Sequence, residues 1–231
     1  MVGQTISHYR ILDKIDEGGM GVVYRAEDLK LRRIVALKFL SSGDPELRAR
    51  FLHEAQAAAA LNHPNICTVH EVDEEHGFLA MEFIEGSSLK ERITARPLPL
   101  PEALDIATQI AQGLQAAHEK GIVHRDIKPA NVIVTTQGVV KIMDFGLAQL
   151  SDRSRITKSG AAIGTPAYMS PEQAQGMTTD RRTDIWSLGV VVYEMLTGAS
   201  TISGRHTARS LLWHRPQPTR AADGVKNRAT G

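Results

Sequence analysis

The chain has 231 residues, enough for one large domain or two small lobes, and its 42% apolar and 23% charged content is that of an ordinary soluble globular protein. A net charge of +1 gives no bulk attraction to nucleic acid or to a membrane surface. The single cysteine, Cys67, excludes an internal disulfide, no stretch reaches the ~18 apolar residues of a membrane span, and residues 1–10 show no secretory leader, so a cytoplasmic setting is expected.

The first part of the chain reads as β-rich. "YRILDKI", "GVVYRAED" and "RIVALKFL" are short β-branched or alternating runs separated by turn residues. In "DPELRARFLHEAQAAAALN", Asp44 and Pro45 make an N-cap and first helical position ahead of a strongly helix-forming run, which "NHPNI" ends. "CTVHEV" and "GFLAMEFI" predict two more strands around the turn "DEEHG". From Leu98 the pattern becomes helical. Pro101 opens the helix, Ala103, Ala107, Ile110, Leu114 and Ala117 form one apolar face, and Gly121 stops it. "VIVT" and "VVKIMDF" follow as short runs flanking Gln137-Gly138. After a polar stretch at 151–160, "DIWSLGVVVYEMLTG" is apolar on nearly all faces and predicts a helix buried within a core. Strands first and helices after give an α+β layout, a sheet lobe joined to a helical lobe near "EFIEGSS".

The chemistry lies in an ordered series. "IDEGGMGVVYRAED" (residues 15–28) packs Gly18, Gly19 and Gly21 into four positions, although a G-x-G-x-x-G spacing would put glycine where Asp16 stands. Alone, such a loop is more often a plain glycine-rich hairpin. Lys38 follows in "VALK", Glu54 sixteen residues later within the predicted helix, then "HRDIKPAN" (124–131), "DFG" (144–146) and "SPE" (170–172). On these residues, over about 9–198, the chain resembles the eukaryotic-type protein kinases, and in its "GGMG" loop the bacterial serine/threonine kinases. The resemblance implies a bilobal protein-kinase-like fold: a small β-rich N-lobe at 9–84, an incomplete helical C-lobe at 85–198 and a divergent basic tail at 199–231.

It also implies roles. Phosphoryl transfer asks for positioning and charge neutralisation more than covalent chemistry. Backbone N–H groups of Gly18, Gly19 and Gly21 approach the ATP phosphates because no Cβ intervenes. Lys38 meets the α/β-phosphates, held by Glu54. Asp144 and Asn131 hold Mg²⁺, which takes oxygen ligands. Asp126 accepts or orients the substrate hydroxyl. Met81 sits behind the adenine, backbone groups of Glu82 and Ile84 meet its edge, and Ile15, Val23, Ala36 and Ile133 wall it. Lys128, and Thr165 in "GTPAYMSPE", match the serine/threonine class and a protein substrate. Arg125 is placed to pair with an activation-segment phosphate, with Thr157 and Ser159 as autophosphorylation candidates and Thr165 as a weaker one. His124, His63 and His118 are read as structural, and Asp184 as a brace for the catalytic loop. Glu172 has no nameable partner.

After Gly198 the pattern changes. Residues 199–231 carry six Lys/Arg against one Asp, and only "TARSLLWH" suggests a short helix. A divergent tail, a truncated chain and a change of reading frame are the alternatives, and the abruptness favours the last two. In each case apolar surface of the helix 184–197 would lack its cover, several hundred Å² at ~25 cal/mol per Å². The leading expectation is a Mg-ATP-dependent serine/threonine protein kinase acting on protein substrates, with dimerisation possible, no nucleic-acid partner and no membrane segment in this chain. The rivals are a nucleotide-binding pseudokinase or scaffold without turnover, and a small-molecule phosphotransferase, which "GTPAYMSPE" opposes.

Overall fold

A computed structural model of the chain describes residues 1–18, 21–40, 55–145 and 166–199. Its first part is a six-stranded antiparallel sheet in the order β1-β2-β3-β4-β6-β5, from β1 (Thr5–Ile6), β2 (Tyr9–Gly18), β3 (Gly21–Asp28), β4 (Arg33–Phe39), β5 (Val69–Asp73) and β6 (Phe78–Glu82). Alternation decides what each face carries. Val35 and Leu37 of β4 join Tyr9, Ile11, Ala26, Phe78 and Ala80 in one buried cluster. Ala36 points the other way, with Leu79, Met81 and Cys67. Lys38 shares the Ala36 parity, so a lysine flanked by apolar residues faces a cleft and is only 5% exposed. Cys67 is buried, and burial pushes its thiol up to about 12.

The second part begins with a three-stranded antiparallel sheet, β7 (Gly86–Ser88), β8 (Val132–Thr135) and β9 (Val140–Ile142). Around it stand α1 (Leu89–Ala95), α2 (Leu100–Glu119), the one-turn α3 (Pro171–Ala174) and α4 (Arg181–Thr197). One face of α2, Ala103, Ile106, Ile110, Leu114 and Ala117, packs with Ile127, Val132, Val140, Ile142, Val191 and Met195 into the main core. Each such Leu or Ile contributes roughly 1.5–3 kcal/mol by leaving water. Gly121 (φ +75°) ends α2: its N–H and that of Ile122 bond back to His118 and Ala117 carbonyls, a turn that glycine enters without strain. None of the helices among the described residues is long and apolar enough to cross a membrane.

The strands expected from alternation are present, and residues 55–59 are helical, the described end of the "ELRARFLHEAQAAAALN" run. Two of the strands and two of the α-helices carry no expectation from the sequence pattern. β1 has two residues and β7 three, too short to show a period. α1 and α3 are announced by capping boxes, Ser88 with Glu91 and Ser170 with Gln173, a signal that was in the sequence. The expectation for α4 needs correcting. It buries one face, through Thr183, Asp184, Ser187, Val190, Val191 and Met195, and leaves Ile185, Trp186, Tyr193 and Leu196 exposed. Among the described residues it packs most closely on α2 and on the turn Pro166–Tyr168. Residues 200–231, the bulk of the basic tail, lie outside the described residues.

Candidate active site

The two parts meet across a cleft of about 340 Å³. From the first sheet come Ile15, Gly18, Gly21, Val23, Ala36, Lys38 and Met81, with Glu82 and Ile84 at the joining strand. The second part supplies Asp126, Lys128, Asn131, Ile133 and Asp144. Asp16, Phe83, Ala130 and Met143 also line it, four residues that the sequence reading did not assign to a wall.

The glycine loop is a tight β2–β3 hairpin in which Gly18 pairs with Gly21. Gly21 has φ +148°, and a Cβ there would stand 2.0 Å from the Phe39 carbonyl oxygen, so both conformation and space demand glycine. Asp16 needs no left-handed backbone. It lies within β2, paired with Val23 beside a bulge, and its Oδ1 accepts from the Glu17 N–H at 2.8 Å. Aspartate is tolerated there because strand geometry is one that any residue adopts. Gly19 lies outside the described residues.

Lys38 Nζ donates to Asp144 Oδ1 at 2.6 Å. Burial alone would raise the Asp144 carboxyl, but the adjacent Lys38 ammonium reverses this and holds it below the ordinary carboxylate range. Glu54, the expected partner of Lys38, lies outside the described residues, as do Thr157, Ser159 and Thr165.

Asp126 is held from several sides. Lys128 Nζ donates to its Oδ2 at 2.7 Å, and Asn131 Nδ2 donates to the same oxygen at 3.0 Å and to the Asp126 carbonyl at 2.8 Å. Asp126 Oδ1, the Asn131 amide oxygen and Asp144 Oδ2 have no donor among the described residues. These are hard oxygen acceptors opening on one cleft. Asn131 and Asp144 thus fit a small divalent cation that takes oxygen ligands and keeps part of its water.

Behind this layer is a second one. Arg125 holds φ +65° and Asp144 φ +58°, conformations that cost side-chain-bearing residues energy and persist only when surroundings over-determine them. For Arg125 the constraint is Asp184, fully buried on α4. Its Oδ1 accepts from the Arg125 N–H at 2.7 Å and its Oδ2 from the His124 N–H at 2.9 Å and from His118 Nε2 at 2.7 Å. Burial would raise the Asp184 carboxyl, yet these donors together carry it below the usual value. His124 Nε2 donates to the Met143 carbonyl (2.8 Å), while its Nδ1 accepts from the Asp126 N–H (3.2 Å), so one imidazole ties the Asp126 loop to the segment carrying Asp144.

His118, expected to be structural, ties to Asp184 because α2 and α4 cross, which no local pattern shows. Gln173, in α3, donates to the Arg125 carbonyl at 2.8 Å and had no signal beyond its capping box. Glu172 accepts from the Thr183 hydroxyl at 2.8 Å.

Comparison with known proteins agrees with this fold. The protein kinase domain matches residues 9–221, past the point at which the motifs give out. The chain is 42% identical over 229 residues to serine/threonine-protein kinase PrkC of Bacillus subtilis, covering 96% of this chain and 35% of that protein. It is 41% identical over 207 residues to PknB of Mycobacterium leprae (85% and 33%) and 40% over 230 residues to PknL of Mycobacterium tuberculosis (95% and 57%). The chain thus spans about a third to just over half the length of these relatives. Its sequence motifs, its two-lobed architecture and these matches agree: the chain belongs to the protein kinase domain family.

Proposed function

We propose that the chain is a serine/threonine protein kinase, transferring the γ-phosphoryl group of ATP to Ser/Thr hydroxyls of protein substrates. The observation that carries this reading is the convergence of Lys38, Asp126, Lys128, Asn131 and Asp144, from both parts of the fold, on one cleft with a glycine hairpin at its roof. Asp126 offers an acceptor oxygen, Oδ1, to the substrate hydroxyl while Lys128 and Asn131 fix its other oxygen. The hydroxyl oxygen attacks phosphorus, the bond to the β-phosphate oxygen breaks, and the hydroxyl proton leaves toward Asp126. Lys38 turns from Asp144 toward the incoming phosphates, which frees an Asp144 oxygen. Mg²⁺ between Asn131 and Asp144 would supply charge neutralisation for the phosphates. Met81, Ala36, Val23, Ile15 and Ile133 make the apolar slot for the base, with backbone groups of Glu82 and Ile84 at its edge.

Autophosphorylation at Thr157 and Ser159, read by Arg125, belongs to the same proposal, and the need for ATP together with a lone buried cysteine supports a cytoplasmic setting. The test is ³²P transfer from Mg-ATP to a generic basic protein, with Asp126→Asn and Lys38→Met as controls. Transfer by the parent and its loss in both variants is the expected result. ATP binding without transfer by the parent would make the chain a nucleotide-binding scaffold. Phosphate mapped by mass spectrometry only outside residues 147–171 would remove the regulatory part.

A further inference from the structure

One ion pair at the back of the cleft takes part in none of the steps above. Glu82 is the last residue of β6, and the chain continues from it through Phe83 and Ile84 along the base-binding edge. Its carboxylate Oε2 accepts from Lys141 Nζ at 2.9 Å and from the Thr68 N–H at 3.3 Å. Lys141 belongs to β9, three residues before Asp144. Alternation explains its place: Val140 and Ile142 are buried in the core, so Lys141 projects from the opposite face, toward the first part of the fold.

Three segments close a ring here. Residues 65–67 are strapped to β9 by backbone bonds, Ile142 N–H to the Asn65 carbonyl and Cys67 N–H to the Ile142 carbonyl, both 2.9 Å. Thr68 is joined to Glu82 by the Glu82 N–H, 2.9 Å from the Thr68 carbonyl. The Lys141–Glu82 pair is the third side. It joins the strand that delivers Asp144 to the strand that leads into the base-binding edge. With side chains 15% and 31% exposed it is partly shielded from water.

We infer that Lys141 is a positioning residue, whose ion pair with Glu82 holds the segment 82–84 in register with Asp144 so that the slot for the base is formed before nucleotide arrives. The inference rests on the kinase reading for what the slot binds. A pre-formed site spares the ligand the cost of ordering it, so loss of the pair should act on nucleotide affinity more than on chemistry.

The experiment compares Lys141→Met, Lys141→Arg, Glu82→Gln and the Lys141→Met/Glu82→Gln double variant in steady-state transfer from Mg-ATP. Amide hydrogen exchange is measured alongside on the ligand-free proteins. Lys141→Met is expected to raise KM for Mg-ATP about three- to fivefold with kcat within about twofold of the parent, the range for one partly shielded ion pair. Arginine should restore the parent KM, Glu82→Gln should match Lys141→Met, and the double variant should be no worse than either single. Exchange should accelerate at Thr68 and at residues 82–84. An unchanged KM in Lys141→Met, additive single effects, or a lowered melting temperature with KM unmoved would overturn the inference. The exchange arm needs no turnover. If the parent transfers no phosphate the kinase reading falls, while exchange quickened at Thr68 and 82–84 still supports the clasp, and unaltered exchange there refutes it.

Discussion

Replacing Asp184 by Asn tests whether the strained turn before Asp126 is held from α4. The carboxylate receives three donors on two oxygens, from Arg125 N–H, His124 N–H and His118 Nε2. An amide offers one oxygen. Turned one way, its NH₂ faces the Arg125 N–H; turned the other, it faces the two donors on the opposite side. Either orientation opposes donor to donor in a site without water access. A hydrogen bond to a charged group contributes about 1.5–3 kcal/mol and a stranded buried donor costs about 1–3, so a loss of about 3–4 kcal/mol is expected. That is a large part of a typical margin of about 5–15 kcal/mol. For a chain of this length it lowers Tm by about 6–16 °C. Released from Asp184, Arg125 relaxes from φ +65° and displaces Asp126, so kcat should fall about 100-fold at a temperature where both proteins are folded. Circular dichroism melting and the ³²P assay measure the two effects. A Tm within about 2 °C of the parent, the shift expected for about 0.5–1 kcal/mol, would refute the bracing argument.

Because Asp184 and Asp144 are both held below their unfolded values, their contribution is fully present above the unfolded pKa of about 4 and disappears as pH falls through the folded values. Parent stability measured by denaturant titration should therefore be flat in this contribution from about pH 5 to 8 and drop below about pH 4. The Asp184→Asn variant should show a shallower acid slope, and equal slopes would contradict the assignment. Asp16→Gly removes a negative charge from the cleft wall and should lower KM for ATP with little change in kcat; an unchanged KM would mean that this carboxylate acts only on solvent. Gly21→Ala drives a Cβ into the Phe39 carbonyl oxygen and should cost about 1–3 kcal/mol through strain and overpacking. A parent-like chemical denaturation midpoint would show that the hairpin yields. Cys67, buried with its thiol pushed up to about 12, should resist iodoacetamide at pH 8 in the native protein and react on unfolding, and native labelling at the rate of a free thiol would refute its burial.

Alternation in "RIVALKF" determined that Lys38 shares a face with Ala36, and the "HRDIKPAN" and "DFG" spacings determined which side chains could gather in one place. These are local properties: a strand has period two whatever surrounds it, and a motif keeps its own internal distances. That position 21 needs glycine was legible in the loop, but the contact that demands it, the Phe39 carbonyl oxygen on the neighbouring strand, was not. The tertiary structure decided the rest. Whether α4 is covered on one face or all round depends on its neighbours, and a helix apolar on most faces cannot say which side they take. The support of Asp126 by His118, Asp184 and Gln173, and the clasp of Glu82 by Lys141, join residues 48 to 66 positions apart. No pattern within a strand or helix encodes such pairs, because each partner is set by how two separately legible elements cross.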